Sequence, residues 1–211
     1  MLAIIRSFLL IYPLLLSEYC LANDPLSTPL QVKAMSFNIR LPIDPPPHDW
    51  SSRSPLVSHI ITQHQADIIG FQEMFAIQRD QLLAQTKHYQ SIGSGREADL
   101  SGEACNIFFR TDRWQLDKNA HGTFWYSDTP EQAGSKHWGN DYLRIVTWAR
   151  LIHRNTGQGL YIYNSHWDFK NGFQKKAAKL LKQKIAQRPK KSSDVLADSF
   201  SADFHNFYLK N

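Results

Sequence analysis

Cysteine is almost absent from this chain: its 211 residues include two, Cys20 and Cys105. So few thiols exclude a disulfide-stapled scaffold, and neither lies in a Cys/His spacing that could hold zinc. Long apolar runs are just as scarce. After the first 22 residues no stretch is long enough for a membrane-spanning helix. There is no internal repeat and no low-complexity block, so solenoid and disordered architectures are poor descriptions. Acidic residues are outnumbered, 19 against 24 Lys and Arg, for a net charge of +5. A basic surplus favours anionic partners such as phosphates, nucleic acid or acidic lipid heads, and is equally the mark of a solvated basic surface.

What is present is ordinary globular composition: 42% hydrophobic, 20% charged and 12% aromatic residues. The length suits one domain with a sizeable core. The N-terminus reads as a leader. Arg6 supplies a positive region, residues 7–16 are apolar apart from Tyr12 and Pro13, and Cys20-Leu21-Ala22 offers small residues to a signal peptidase. Ser17-Glu18-Tyr19 is a poor approach to a lipidated cysteine, which leaves a cleaved signal peptide over 1–22 and a secreted or periplasmic protein with no remaining membrane span. Cleavage would leave Cys105 alone. Its neighbours Ile107, Phe108 and Phe109 predict a buried strand thiol rather than a nucleophile.

Beyond a short proline-bearing lead-in (23–30), residues 31–39 alternate as a strand and 41–47 are a proline-dense loop. Leu56, Ile60 and Ile61 have helical spacing, which predicts a helix over 55–64 with Pro55 in its first turn. The continuous apolar run at 66–71 reads as a buried strand, and 78–86 as a second helix. Shorter strands follow at 88–92, 104–110 and 114–124. Residues 145–153 and 160–166 form a hairpin joined through Asn155-Thr156-Gly157-Gln158. Residues 173–187 make an amphipathic helix with Phe173, Ala177, Leu180, Leu181 and Ile185 on one face, and Lys175, Lys176, Lys179, Lys182 and Lys184 on the other. Strand, helix and strand followed by antiparallel strands indicate an α/β (α+β) sandwich.

Three polar clusters interrupt or end the apolar strands: Ser36-Phe37-Asn38, Gly70-Phe71-Gln72-Glu73 and Asn164-Ser165-His166-Trp167-Asp168. A strand-end Glu and Asn are hard oxygen ligands suited to Mg²⁺ or Mn²⁺, and a nearby His can donate to a phosphoryl oxygen or move a proton. In that order the clusters resemble the first three signatures of the endonuclease/exonuclease/phosphatase family. Segments 102–110, 122–127, 134–136 and 144–149 are similar to what a bacterial secreted branch of the family carries between them. The resemblance spans roughly 32–187.

That resemblance implies a four-layer sandwich, two packed mixed β-sheets flanked by helices, occupying 31–211. It implies a divalent-metal-dependent phosphoesterase in which Glu73 is the principal metal ligand with Asn38 beside it, and His166 contacts the scissile phosphate. Arg144 and Glu103 would serve the substrate phosphate, and Asp168 would orient His166. The cofactor would be Mg²⁺ or Mn²⁺, and the substrate a phosphorylated small molecule, a phospholipid or a nucleic acid. Trp167 stands where the family usually has an aliphatic residue and reads as packing. Loop 41–47 and segment 128–142 would border the cleft.

Two further family signatures, Gly-Asp-Phe-Asn and Ser-Asp-His, are not intact. Residues 195–202 can be laid on the fourth, with Ser199 and Ser201 in place of its Asp and Asn; a shifted alternative starts at Ala202-Asp203-Phe204-His205. The expectation is a domain incomplete after about 190 and truncated at its C-terminal strands. The alternative function is therefore a catalytically impaired or inactive remnant that binds phosphorylated ligands or serves as an interaction protein.

Overall fold

The computed structural model describes residues 30–169 and 172–189, and 199–202 as backbone. The signal peptide expected at 1–22, most of the lead-in and the alternative fourth signature from Asp203 lie outside the described residues. The chain divides into Met1–Gln31, of which Leu30 and Gln31 are described, and a unit Val32–Asn211 that holds every element below.

Chain order is β1 (Ala34–Asn38), α1 (Trp50–His64), β2 (Ile68–Gln72), α2 (Ala76–Gln85), β3 (Tyr89–Ile92) and β4 (Ile107–Arg110). These strands form one mixed sheet in the order β1-β2-β4-β3, with β1 and β2 parallel and the other pairs antiparallel. Every residue of β2 is buried, as a strand covered on both faces must be. Period-2 alternation sends Ile69 and Phe71 to a core shared with Val57 and Ile61 of α1 and Leu82 of α2. Gly70 and Gln72 face the other way.

The second sheet is a meander of β5 (Trp114–Trp125), β6 (Ile145–His153) and β7 (Gly159–Ser165), joined through α3 (Phe173–Gln187) to β8 (Ser199–Ala202), which runs parallel to β7. Strand β8 lies within the first of the two alternatives for the fourth signature. In the β6–β7 turn, Gly157 adopts φ 70°, which a side chain would strain, and its N–H closes on the His153 carbonyl at 2.8 Å. Helix α3 buries Phe173, Ala177 and Leu181, successive i, i+4 positions, against Phe124, Tyr126, Val146, Tyr161 and Tyr163. Fully burying a Phe or Leu side chain is worth about 1.5–3 kcal/mol, so this face holds α3 despite its lysines. The layers are α1 and α2, first sheet, second sheet, α3: the expected four-layer sandwich. Among the described residues no helix is long and apolar enough to cross a membrane.

Helix α1 departs from expectation. It starts at Trp50 rather than Pro55, which places the proline in the second turn. Long-range contacts outweigh the local signal. The Trp50 indole is buried and donates to Gln81 of α2, and Arg53 donates to the Leu41 carbonyl at 2.8 Å; the nearer bonds of Ser52 Oγ to Asp49 (2.6 Å) and of Arg53 to the His48 carbonyl (2.7 Å) add to them. Strand β4 is also shorter than the predicted 104–110; Ala104 makes isolated bridges to Met74 and Gly95 instead.

Where the two sheets face each other the contact is partly polar. Gln72 Nε2 donates to Asn164 Oδ1 at 2.8 Å, and Asn164 Nδ2 donates to the carbonyls of Phe71 (2.8 Å) and Asn106 (2.9 Å). Both side chains are buried. Such groups are worth little when paired and cost about 1–3 kcal/mol each when stranded. Asn164→Leu is therefore expected to lower the unfolding free energy by about 2–4 kcal/mol in urea titrations; a change below about 0.5 kcal/mol would remove the network from any role in joining the sheets.

Candidate active site

Strand directions bring the polar clusters to one edge of the sandwich. Parallel β1 and β2 end together, Asn38 opposite Gln72, so Asn38 and Glu73 leave the sheet side by side. Strand β4 runs the other way, and the Met74–Ala104 bridge delivers Glu103 to that edge. In the second sheet Val146 pairs with Ser165, which sets Arg144 next to His166 and Asp168. The register of β8 places Ala202 opposite Ser165 at the same end.

Glu73 is the centre of the first grouping. Asn38 Nδ2 donates to its Oε1 at 2.9 Å and the Leu41 N–H to its Oε2 at 3.2 Å, while His166 Nε2 lies 3.5 Å from Oε1. Contact with His166 holds the Glu73 carboxyl down to about 2 against the opposing pull of partial burial, and the Asn38 and Leu41 donors add to the lowering. The carboxylate stays ionised from that pH upward. Glu73 and Arg40 both adopt φ 60°, a left-handed conformation that non-glycine residues keep only when their surroundings impose it.

A second grouping is built on Arg144, whose side chain is 7% exposed. Its Nη1 lies 3.6 Å from Glu103 Oε1 and its Nε 3.8 Å from Asp168 Oδ2. Arg96 Nη1 contacts the other Glu103 oxygen at 2.8 Å. The Tyr142 ring, 57% exposed, sits 5.4 Å from the Arg144 guanidinium carbon and 5.6 Å from that of Arg96. Glu103 and Arg144, assigned from sequence to a substrate phosphate, are thus tied to each other, and Asp168 is paired with Arg144. Arg96 and Tyr142 carried no sequence signal of their own; a folded loop, closed by Gly95 N–H to Leu100 O at 2.9 Å, is what brings Arg96 in.

The remaining residues fall where their chemistry suggests. Cys105 is buried, and burial pushes its thiol up to about 12, so it is un-ionised and inert at neutral pH. Trp167 Nε1 donates to the Tyr126 hydroxyl at 3.0 Å, and its ring packs on the α3 core. Loop 41–47 adjoins Glu73 through Leu41, and segment 128–142 reaches Arg144 through Tyr142.

Among the described residues no three His, Cys, Asp or Glu side chains converge as a metal cage. One ionised carboxylate with an amide beside it does fit Mg²⁺ or Mn²⁺. Mg²⁺ usually takes one or two carboxylates and keeps much of its water, whereas structural zinc demands four protein ligands.

No protein-family model matches the chain. It is similar, at 31% identity and a TM-score of 0.69, to the crystal structure of an endonuclease/exonuclease/phosphatase from Bacteroides vulgatus, covering 74% of this chain and 60% of that one. In fold and in sequence the chain resembles endonuclease/exonuclease/phosphatase proteins. Within the same family fold, a mannosyl-6-phosphatase from Bacteroides thetaiotaomicron is 28% identical with a TM-score of 0.69, over 74% of this chain and 60% of that one. An uncharacterized protein, L388, of Acanthamoeba polyphaga mimivirus is 27% identical over 165 residues, 74% of this chain and 60% of the viral protein. The chain therefore spans about 60% of the length of these relatives.

Proposed function

We propose that this chain is a secreted phosphoesterase that uses Mg²⁺ or Mn²⁺ to hydrolyse a phosphate ester, with Glu73 as the metal anchor. The observation that carries the reading is the Glu73 carboxylate, held ionised down to about 2 and bonded to Asn38 at the edge where His166 also arrives. A bound divalent cation supplies positive charge for the phosphoryl oxygens and favours ionisation of water. Asn38 fixes one Glu73 oxygen and the Leu41 N–H the other, so the carboxylate is oriented before any ligand arrives. His166, with its Nε2 3.5 Å from Glu73 Oε1, would donate to a phosphoryl oxygen next to that carboxylate. Arg144, paired with Glu103 and Asp168, holds those two carboxylates in place beside the site. Substrates of this chemistry are phosphorylated small molecules such as sugar phosphates, phospholipids or nucleic acid; the B. thetaiotaomicron relative named for mannosyl-6-phosphate favours the first.

A second reading is a phosphate-ester-binding protein of little turnover. It is favoured by Ser199 and Ser201 in β8, where the fourth signature would supply Asp and Asn. A serine hydroxyl does not replace a carboxylate base at neutral pH, and losing one member of a concerted catalytic unit typically costs orders of magnitude in rate. Release of p-nitrophenol from p-nitrophenyl phosphate and its bis-ester, with Mg²⁺ or Mn²⁺ and then with EDTA, separates the two. Metal-dependent release abolished by EDTA supports the enzyme. Calorimetric binding of mannose 6-phosphate without release supports the second reading, and neither in folded protein overturns both.

A further inference from the structure

We propose that Gln78 is a positioning residue that locks Asn38 and Glu73 together; the inference rests on the metal-site reading above. Gln78 is the third residue of α2 and fully buried. Its Oε1 accepts the Phe75 N–H at 2.9 Å, and its Nε2 donates to the Arg40 carbonyl at 2.9 Å. Phe75 lies two residues after Glu73, and Arg40 two residues after Asn38. The Arg40 N–H in turn donates to Asn38 Oδ1 at 2.9 Å, and Asn38 Nδ2 donates to Glu73 Oε1 at 2.9 Å. The bonds close into a ring: Gln78, Arg40, Asn38, Glu73, Phe75 and back to Gln78.

Two features make this more than a helix cap. A residue capping α2 needs only to return to the Phe75 N–H, as Glu or Gln at the third position of a helix commonly does. The second bond serves no helical group and instead holds the peptide between Arg40 and Leu41, whose Leu41 N–H donates to Glu73 Oε2 at 3.2 Å. The two backbone residues joined through this ring, Arg40 and Glu73, are also the two at φ 60° flanking the site. A left-handed conformation persists only where surrounding bonds impose it, and one buried amide here restrains both loops.

The test separates capping from positioning. Gln78→Glu keeps the acceptor for Phe75 but at pH 8 sets an oxygen against the Arg40 carbonyl, and Gln78→Met removes both bonds. In metal-free protein, amide hydrogen exchange at Arg40 and Leu41 is expected to accelerate at least about tenfold in both variants, with the interior amides of α2 unchanged in Gln78→Glu. Mn²⁺ affinity, read by electron paramagnetic resonance, is expected to fall about 10–100-fold, the usual effect of removing a group that orients a metal ligand. Gln85→Ala, at the far end of α2, should change neither. Exchange at Arg40 and Leu41 matching wild type overturns the inference, and so does Mn²⁺ affinity within twofold of wild type in both variants. Wild-type protein that binds no Mn²⁺ sinks the metal-site reading instead, and exchange then decides whether Gln78 positions the two loops.

Discussion

Glu73→Ala is expected to lower metal-dependent phosphate-ester turnover by at least about a thousandfold and to take Mn²⁺ binding below detection, while the protein remains folded. The size of the effect follows from the lack of a substitute: among the described residues no cluster of three potential ligands exists to retain the cation. The fold should survive because Glu73 contributes side-chain bonds to Asn38 and Leu41 but no core packing. Losing such bonds costs about 1 kcal/mol each. A pH signature accompanies the substitution. The carboxyl is lowered from 4.5 to about 2 on folding, so its contribution to stability is present above about pH 4.5 and disappears as pH falls through about 2. The stability gap between wild type and Glu73→Ala should therefore be widest at neutral pH and close over that acid window. Residual turnover within tenfold of wild type, with the same metal requirement, would take Glu73 out of the anchoring role.

Much of the fold was legible because it depends on local pattern. The alternation of β6 and β7, the turn at Gly157 and the Phe173–Ala177–Leu181 stripe of α3 each state their partner face in the sequence. The α1 start was not legible: Pro55 is a local signal for a first turn, but Trp50 bonds to Gln81 of α2 and Arg53 to the Leu41 carbonyl, partners that a local window around Pro55 does not contain. The site divides in the same way. Asn38, Glu73 and His166 sit at strand ends, and the geometry does bring them together. Gln72 and Asn164 lie inside quoted motifs, yet their bond across the sheets is visible only once β2 and β7 face each other. Gln78 and Arg96 are single polar residues whose partners are 38 positions away, for the bond to Arg40, or brought in by a folded loop, and nothing in their own neighbourhoods marks them. The partners of Arg144 are of the same non-local kind, and they change what its replacement should do.

Arg144→Leu is expected to destabilise the fold by about 3–5 kcal/mol, the usual result of removing one partner from a buried ionic cluster. Arg144, Glu103 and Asp168 have side chains 7%, 8% and 6% exposed. Without the guanidinium, Glu103 keeps Arg96 at 2.8 Å, but Asp168 loses its ion pair in a region where water cannot compensate fully. Tyr142 loses one of its two guanidinium neighbours as well, a contact worth about 0.5–1 kcal/mol at an exposed ring. In urea titrations Arg144→Lys, which keeps the charge without the planar fork, should fall between wild type and Arg144→Leu. If Arg144 instead acts mainly on the substrate phosphate, the leucine variant will unfold within about 0.5 kcal/mol of wild type and show its loss in KM. The buried pairing with Glu103 and Asp168 argues for the first outcome, in which Arg144 shapes the site by holding its carboxylates in place.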